Sequence, residues 1–190
     1  MTIDPGVILA ESEDDLRQWC DQVNGWGAAS GSFDLTVGHL GQVLTATVRV
    51  IQAEAVDSQR RSGRLLRGSF SVQFVAADPR KYAAPRTFVV DAAGGSVWVK
   101  SKGNFPSHPV IEFPNAPSSY SVSSPGGMFT VSGVDAGGTH RIDMRTGRVT
   151  RDGAWMPGAG SGRLWAVPNG TQWQHFLSAP GRVILRDAYV

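Results

Sequence analysis

From Thr87 to Tyr189 the chain is cut into short stretches, with Gly or Pro between nearly all of them, and this punctuation most limits what it can fold into. Thr87–Asp91, Ser96–Lys100, Val110–Phe113, Tyr120–Ser123, Met128–Ser132, His140–Met144, Arg148–Arg151, Arg163–Val167 and Arg182–Tyr189 are each strand-sized. Stretches this short and this regularly interrupted predict a compact antiparallel sandwich of the jelly-roll kind. Gly103–Phe113 reads as a turn feeding a strand, and Ile142–Val149 as a tight hairpin, with no helix between them. Composition agrees: charged residues are 18% of the chain, while Gly (23) and Pro (11) supply turns rather than long solvated helices.

Two turns can be argued at the level of atoms. Asp143 can accept backbone amides from the loop ahead of it, and Gly147 supplies the positive φ that returns the chain as Arg148-Val149. At Pro168-Asn169-Gly170 the proline presets the first corner angle and Asn-Gly tolerates the second.

The N-terminal part reads differently. Ser12 caps a helix whose first turn carries Glu13, Asp14 and Asp15, and Leu16, Trp19, Cys20 and Val23 recur at helical spacing as one apolar stripe. This helix, predicted over 13–24, ends at Asn24-Gly25. The period then changes to two. Phe33, Leu35 and Val37 lead into a turn at 38–41, and a return strand over 43–51 places Leu44, Ala46, Val48 and Val50 on one face. Phe70, Val72 and Phe74 alternate with serines and Gln73 as a half-buried strand, which stops at Asp78-Pro79. A domain junction is expected just beyond, giving units of 1–84 and 85–190.

Several function classes lack support. The net charge is +2, and the only basic cluster, Arg60, Arg61 and Arg64, reads as a solvated loop between strands or a contact with an acidic neighbouring subunit, so nucleic-acid specificity is not expected. Cys20 is the single cysteine, so no internal disulfide forms, and it reads as a small buried hydrophobe. No apolar run or N-terminal leader pattern points to a membrane or secretion, and synthesis and folding in the cytoplasm are expected. His39, His108, His140 and His175 lack the short spacings of a zinc site and read as turn and strand-surface residues, so no metal or other cofactor is expected. Asp135 or Asp143 could serve as one carboxylate of a glycosidase pair, but no motif places a second. There is no nucleophile elbow and no base beside Cys20. Asn169-Gly170-Thr171 matches a glycosylation acceptor and reads simply as a polar turn. An enzyme is therefore not expected. The six tryptophans fill the core or anchor subunit interfaces; Trp155 and Trp173, in turn-rich surroundings, are the candidates for exposure and for a glycan or partner contact.

Taken in order, these segments resemble the distal tail proteins of long-tailed bacteriophages, also described as minor tail proteins. The resemblance runs through Phe70–Tyr82 with its Asp78-Pro79-Arg80-Lys81-Tyr82 ending and Gly103-Asn104 with Pro106 and Pro109. It continues through Ile142-Asp143 with Thr146–Val149, Trp165, Pro168-Asn169-Gly170 and the strand Val183–Tyr189. It spans most of the chain from about Glu11. It implies an N-terminal belt domain closing a hexameric ring and a galectin-like sandwich pointing outward. The ring would join the tail tube protein to the tip hub or baseplate, in the virion, near the tape measure and receptor-binding proteins. Ring contacts would then involve Arg60, Arg61, Arg64, Phe70 and Phe74. One departure stands out: the family carries several strands before the helix, and here the helix begins almost at once. That implies a reduced belt, completed by strand addition from a neighbour, or a differently built interface. The alternative reading is a carbohydrate-binding sandwich module that contacts host surface glycans through Trp155 or Trp173.

Overall fold

The computed structural model describes residues 2–28, 31–39, 41–62 and 64–190. The chain is mainly β, with antiparallel sheets and one helix among the described residues, and it forms two compact units, Met1–Gly38 with Thr45–Pro79 and His39–Leu44 with Arg80–Val190.

The first unit holds β1 (Thr2–Ala10), α1 (Glu13–Ala28), all but the last residue of β2 (Phe33–His39), β3 (Gln42–Ser62) from Thr45 onward, and β4 (Leu65–Val75). β4 lies between β1 and β3, and β2 pairs with β3. The strand β1 corrects the sequence reading, which starts the structure at the helix. Pro5-Gly6 interrupts its alternation, and a register shift between Ile3 and Gly6 absorbs the irregularity against β4. The Phe70 ring covers Gly6 so closely that a Cβ there would lie 2.1 Å from it.

Ser12 caps α1 as expected: its Oγ accepts from the Asp15 amide at 3.1 Å and donates to the Asp15 carboxylate at 2.7 Å. Ser12→Ala is expected to lower the stability of this unit by about 1 kcal/mol, measured by urea unfolding. The helix continues past Asn24-Gly25, because the Asn24 side chain accepts the Ala55 amide of β3 at 2.8 Å. That tertiary anchor offsets the roughly 1 kcal/mol a helical glycine costs. Leu16, Cys20 and Val23 are buried against Ile8, Ala10, Val48, Val72 and Phe74, but Trp19 is 52% exposed, so the stripe runs at i, i+4, i+7 without it. Ala46, Val48 and Val50 are buried in this core as the alternation implied, and Leu44 is buried too. Residues 60–62 and 65–67 are not a loop: β3 and β4 stay paired to Ser62 and Leu65, with shifts at Val50/Gln52 and Asp57/Arg60.

The second unit is a two-sheet sandwich with one further strand pair outside both of its sheets. It comprises β5 (Lys81–Tyr82), β6 (Arg86–Val90), β7 (Ser96–Lys100), β8 (Val110–Phe113), β9 (Tyr120–Ser124) and β10 (Gly127–Val131). It continues with β11 (His140–Asp143), β12 (Arg148–Arg151), β13 (Ala154–Trp155), β14 (Gly160–Gly162), β15 (Gln172–Leu177), β16 (Gly181–Leu185) and β17 (Ala188–Tyr189). One sheet runs β14-β10-β9-β15-β7, the other β13-β12-β11-β8-β16-β6, and β5 and β17 pair with each other outside both. Val99, Val122, Val131 and Leu177 of the first meet Ile111, Phe113, Ile142 and Val183 of the second in a continuous core.

Asp143 builds its turn as expected. Its carboxylate accepts the Arg145 amide at 2.8 Å and the Thr146 hydroxyl at 3.0 Å, and Gly147 has φ 74°. At Pro168–Thr171 the corner positions are Asn169 and Gly170; proline contributes the carbonyl that accepts from Thr171, rather than the first corner angle. Arg163–Val167 is not a strand. Trp165 turns into the core there, and only Val167 bridges, to Ser107. β15 is the strand the sequence reading lacks. Arg182–Tyr189 divides into β16 and β17 around Asp187, whose buried carboxylate accepts from Arg86 at 3.0 and 2.7 Å and from the Lys102 amide at 2.8 Å.

Candidate functional site

The first unit offers a sheet face that its own helix does not cover. Inward positions of β1 and β4 pack under α1, which leaves the alternate residues outside. Val7 of β1, Ser69 of β4 and Val56 of β3 stand in one cross-strand row, and Leu9 lies opposite Arg67 in the next. Val7, Leu9 and Val56 are each about half exposed, an apolar content well suited to an interface. On the far side of α1, Trp19 and Trp26 are seven residues apart and also half exposed.

The residues singled out for ring contacts fall in different places. Arg64 is exposed at the turn between β3 and β4, while the side chains of Arg60 and Arg61 lie outside the described part of the structure. Their backbone pairs with Arg67 and Leu66. Phe70 is half-buried over Gly6, and Phe74 is buried, edge-on to Phe33 at 6.0 Å. Both phenylalanines hold the sheet from within.

In the second unit the outer face of the six-stranded sheet is strongly charged. A row runs Val89–Arg182–Glu112–Arg141–Thr150–Trp155 across the strands. Glu112 is buried beneath its neighbours; Oε1 accepts from Arg182 Nε at 2.7 Å and from the same guanidinium's Nη2, and Oε2 faces Arg141 Nε at 3.4 Å. At the edge of this face Asp152 (φ 48°) and Gly153 (φ 86°) form a two-residue turn joining β12 to β13, with both central residues at positive φ. Asp-Gly is a strong hairpin signal, and the sequence reading passes over it. Trp155, 56% exposed, stands beside it with the Arg148 guanidinium 5.0 Å over its ring. The two border a groove of about 430 Å³ whose floor includes Val149, Met156, Ala159 and Gly160.

Trp173 differs from Trp155. It lies in β15, half-buried against the core and next to Gly126, rather than in an exposed turn. Two histidines also depart from the surface reading. His140 is fully buried, with Nδ1 2.9 Å from the Tyr120 hydroxyl, a bond that joins the two sheets. His175 is fully buried and accepts from Trp165 Nε1 at 3.2 Å. Burial pushes the His140 pKa down, with Arg151 acting the same way, and pushes that of His175 down to about 4. His108 is also lowered, by burial and by Arg80 and Arg145.

The two candidate carboxylates make structural contacts. Asp143 is committed to its turn, and Asp135 pairs with Arg151 at 3.3 Å. No group of three or more metal-ligating side chains comes together among the described residues, and no described helix is long and apolar enough to cross a membrane.

No protein-family model matches the sequence, and no curated protein sequence matches it. Among solved structures the chain is similar to the Dit (gp 19.1) protein of phage SPP1, described as a paradigm of the hub adsorption apparatus in phages infecting Gram-positive hosts. The TM-score is 0.71 with 16% sequence identity, over 94% of this chain and 74% of that one. The two chains share a fold.

Proposed function

We propose, from this shared fold, that the chain is a structural protein of a bacteriophage tail tip, a distal tail subunit that works by assembly rather than by catalysis. The observation that carries the reading is the SPP1 Dit likeness across 94% of the chain, covering both units. The uncovered apolar row Val7–Ser69–Val56 supports it, because half-exposed aliphatic side chains aligned on a sheet are the raw material of a subunit interface.

In this reading residues 1–84 form a ring, hexameric by analogy, through a heterologous contact repeated around a closed rotation. The ring docks the tail tube protein on one side and the tip hub on the other, close to the tape measure and receptor-binding proteins, and its location is the virion. Arg60, Arg61 and Arg64 at the end of the β3–β4 hairpin contact the neighbouring copy, while Phe70 and Phe74 keep the hairpin's sheet in shape.

The test is the mass of the purified full chain by light scattering, alone and co-expressed with the tail tube and hub proteins of the same phage. A closed ring is expected, and Val7→Glu with Val56→Glu should return it to monomer without lowering helix or strand content. A chain that stays monomeric and enters no tail complex overturns the assignment.

A further inference from the structure

The two faces of the sandwich differ in chemistry. The six-stranded sheet turns outward the Arg182–Glu112–Arg141 row, whereas the outward positions of the five-stranded sheet are almost free of charge. Of the strand residues facing out from β14, β10, β9, β15 and β7, Lys100 alone is charged; the rest include Ser96, Ser121, Ser123, Thr130, Ser161, Gln172 and Gln174. Among these hydroxyls and amides stand Trp98 at 55%, Phe176 at 46% and, at the β10 end of the row, Met128 at 58% exposure.

Their placement follows from register. In β7, Val99 is fully buried and Val97 packs against the core, so the alternate residue Trp98 must face out. In β15 the buried residues are His175 and Leu177, which sends Gln174 and Phe176 outward. Trp98 is directly opposite Gln174 and Phe176 directly opposite Ser96, so the two aromatic residues are diagonal neighbours on adjacent strands. Gln174 Nε2 donates to Ser96 Oγ at 2.9 Å, which fixes the amide between the two rings. Both rings therefore rest on rigid, paired strands with an oriented polar group between them.

We infer that this face is a binding platform for a neutral saccharide chain, with Trp98 and Phe176 stacking on the C–H faces of successive sugar rings and Gln174 and the flanking serines hydrogen-bonding their hydroxyls. Indole and phenyl rings meet the apolar face of a pyranose, while neutral amides and hydroxyls match its equatorial groups without the desolvation cost of a charge. Other occupants fit less well. Protein interfaces are depleted in serine, and the strands of this face carry Ser96, Ser121, Ser123 and Ser161. A nucleic-acid strand would need a cationic groove beside the stacking rings. The platform is separate from Trp155, whose ring is stacked by Arg148, and from the half-buried Trp173. It does not depend on ring assembly.

The test is affinity electrophoresis of the full chain through native gels containing soluble starch, galactomannan, xyloglucan or hydroxyethylcellulose, with polygalacturonate as the anionic polymer. Retardation by at least one neutral polymer is expected. Trp98→Ala should weaken it by about tenfold or more, as for other aromatic anchors at a binding surface. Gln174→Ala, which leaves both rings in place, should weaken it less, and Trp155→Ala should leave it unchanged. All three variants should keep the parent melting temperature, since these side chains are outside the core. Four results overturn the proposal: no retardation by any neutral polymer, retardation by polygalacturonate alone, retardation that persists in Trp98→Ala, or release of a co-expressed tail protein by Trp98→Ala in place of any sugar effect.

Discussion

Replacing Gly103 with alanine is expected to destabilise the second unit by about 3 kcal/mol, lowering its melting temperature by about 10 °C. Gly103 has no unusual φ, so alanine suits its backbone, and the effect is purely one of space. A Cβ there would stand 2.1 Å from the Ala188 carbonyl oxygen and 2.9 Å from the Ala188 nitrogen. Both are backbone atoms, and neither can turn aside as a side chain would. Ala188 is itself fixed: its carbonyl accepts the Phe105 amide at 3.1 Å and its amide donates to the buried Ser107 hydroxyl at 2.9 Å. Relief of the clash would break one of these bonds and leave a buried polar group unpaired. Gly133→Ala is the comparison. It has φ 70° and open space around it, so only the conformational cost of about 1 kcal/mol applies. Equal thermal melts for the Gly103→Ala variant and the parent would show that the close approach carries no energy.

The second large effect is a loss of stability in mild acid. His175 has an ordinary pKa near 6.5 in the unfolded chain and about 4 in the folded one, because burial disfavours the cation. The unfolded state therefore binds more protons below pH 6.5. Stability is fully present above that value, falls as pH drops toward about 4, and levels off below it, a loss of about 3 kcal/mol from this group. His140 works in the same direction. Its cation would be buried at the bond with the Tyr120 hydroxyl that joins the two sheets. Arg151, paired with His140 across β12, adds repulsion, while Asp152 partly offsets it. Urea midpoints compared at about pH 7.5 and about pH 4.5 should fall steeply for the parent. They should fall less for His175→Gln, which can still accept from Trp165 without titrating. The same fall in both proteins would assign the acid sensitivity to other groups.

Most of the sandwich was legible because its strands are short and carry their own boundaries. Ser96–Lys100, Val110–Phe113 and Arg148–Arg151 coincide with observed strands, and Asp143 and Gly147 make the turn their chemistry dictates. β15 was lost for a definite physical reason. In Gln172–Leu177 the buried positions are His175 and Leu177, with Trp173 half-buried, and an exposed one is Phe176, so polarity points the wrong way. His175 can occupy an apolar site because both ring nitrogens have partners, the Trp173 carbonyl and the Trp165 indole, the latter ten residues away where periodicity cannot reveal it. β1 was hidden by Pro5-Gly6, which reads as a turn until the ring of Phe70 is seen to cover the glycine. The surfaces were harder still. Exposure at Trp98 follows from the buried valine on its C-terminal side, whereas half-burial of Trp173 depends on contacts made across the fold.

The Arg182–Glu112–Arg141 row also bears on how the strands find their partners. Antiparallel neighbours can slip by two residues and still keep their apolar side chains on the core face, so hydrophobic patterning alone does not forbid that error. Such a slip of β16 along β8 would bring Ile184 or Gly181's neighbouring turn toward Glu112 in place of Arg182. The carboxylate would then lose its main guanidinium partner, a penalty of several kcal/mol if it stayed buried. The row thus acts as a checksum on alignment: it penalises a mispaired sheet that the core alone would accept, and so narrows the set of misfolded forms this chain can reach.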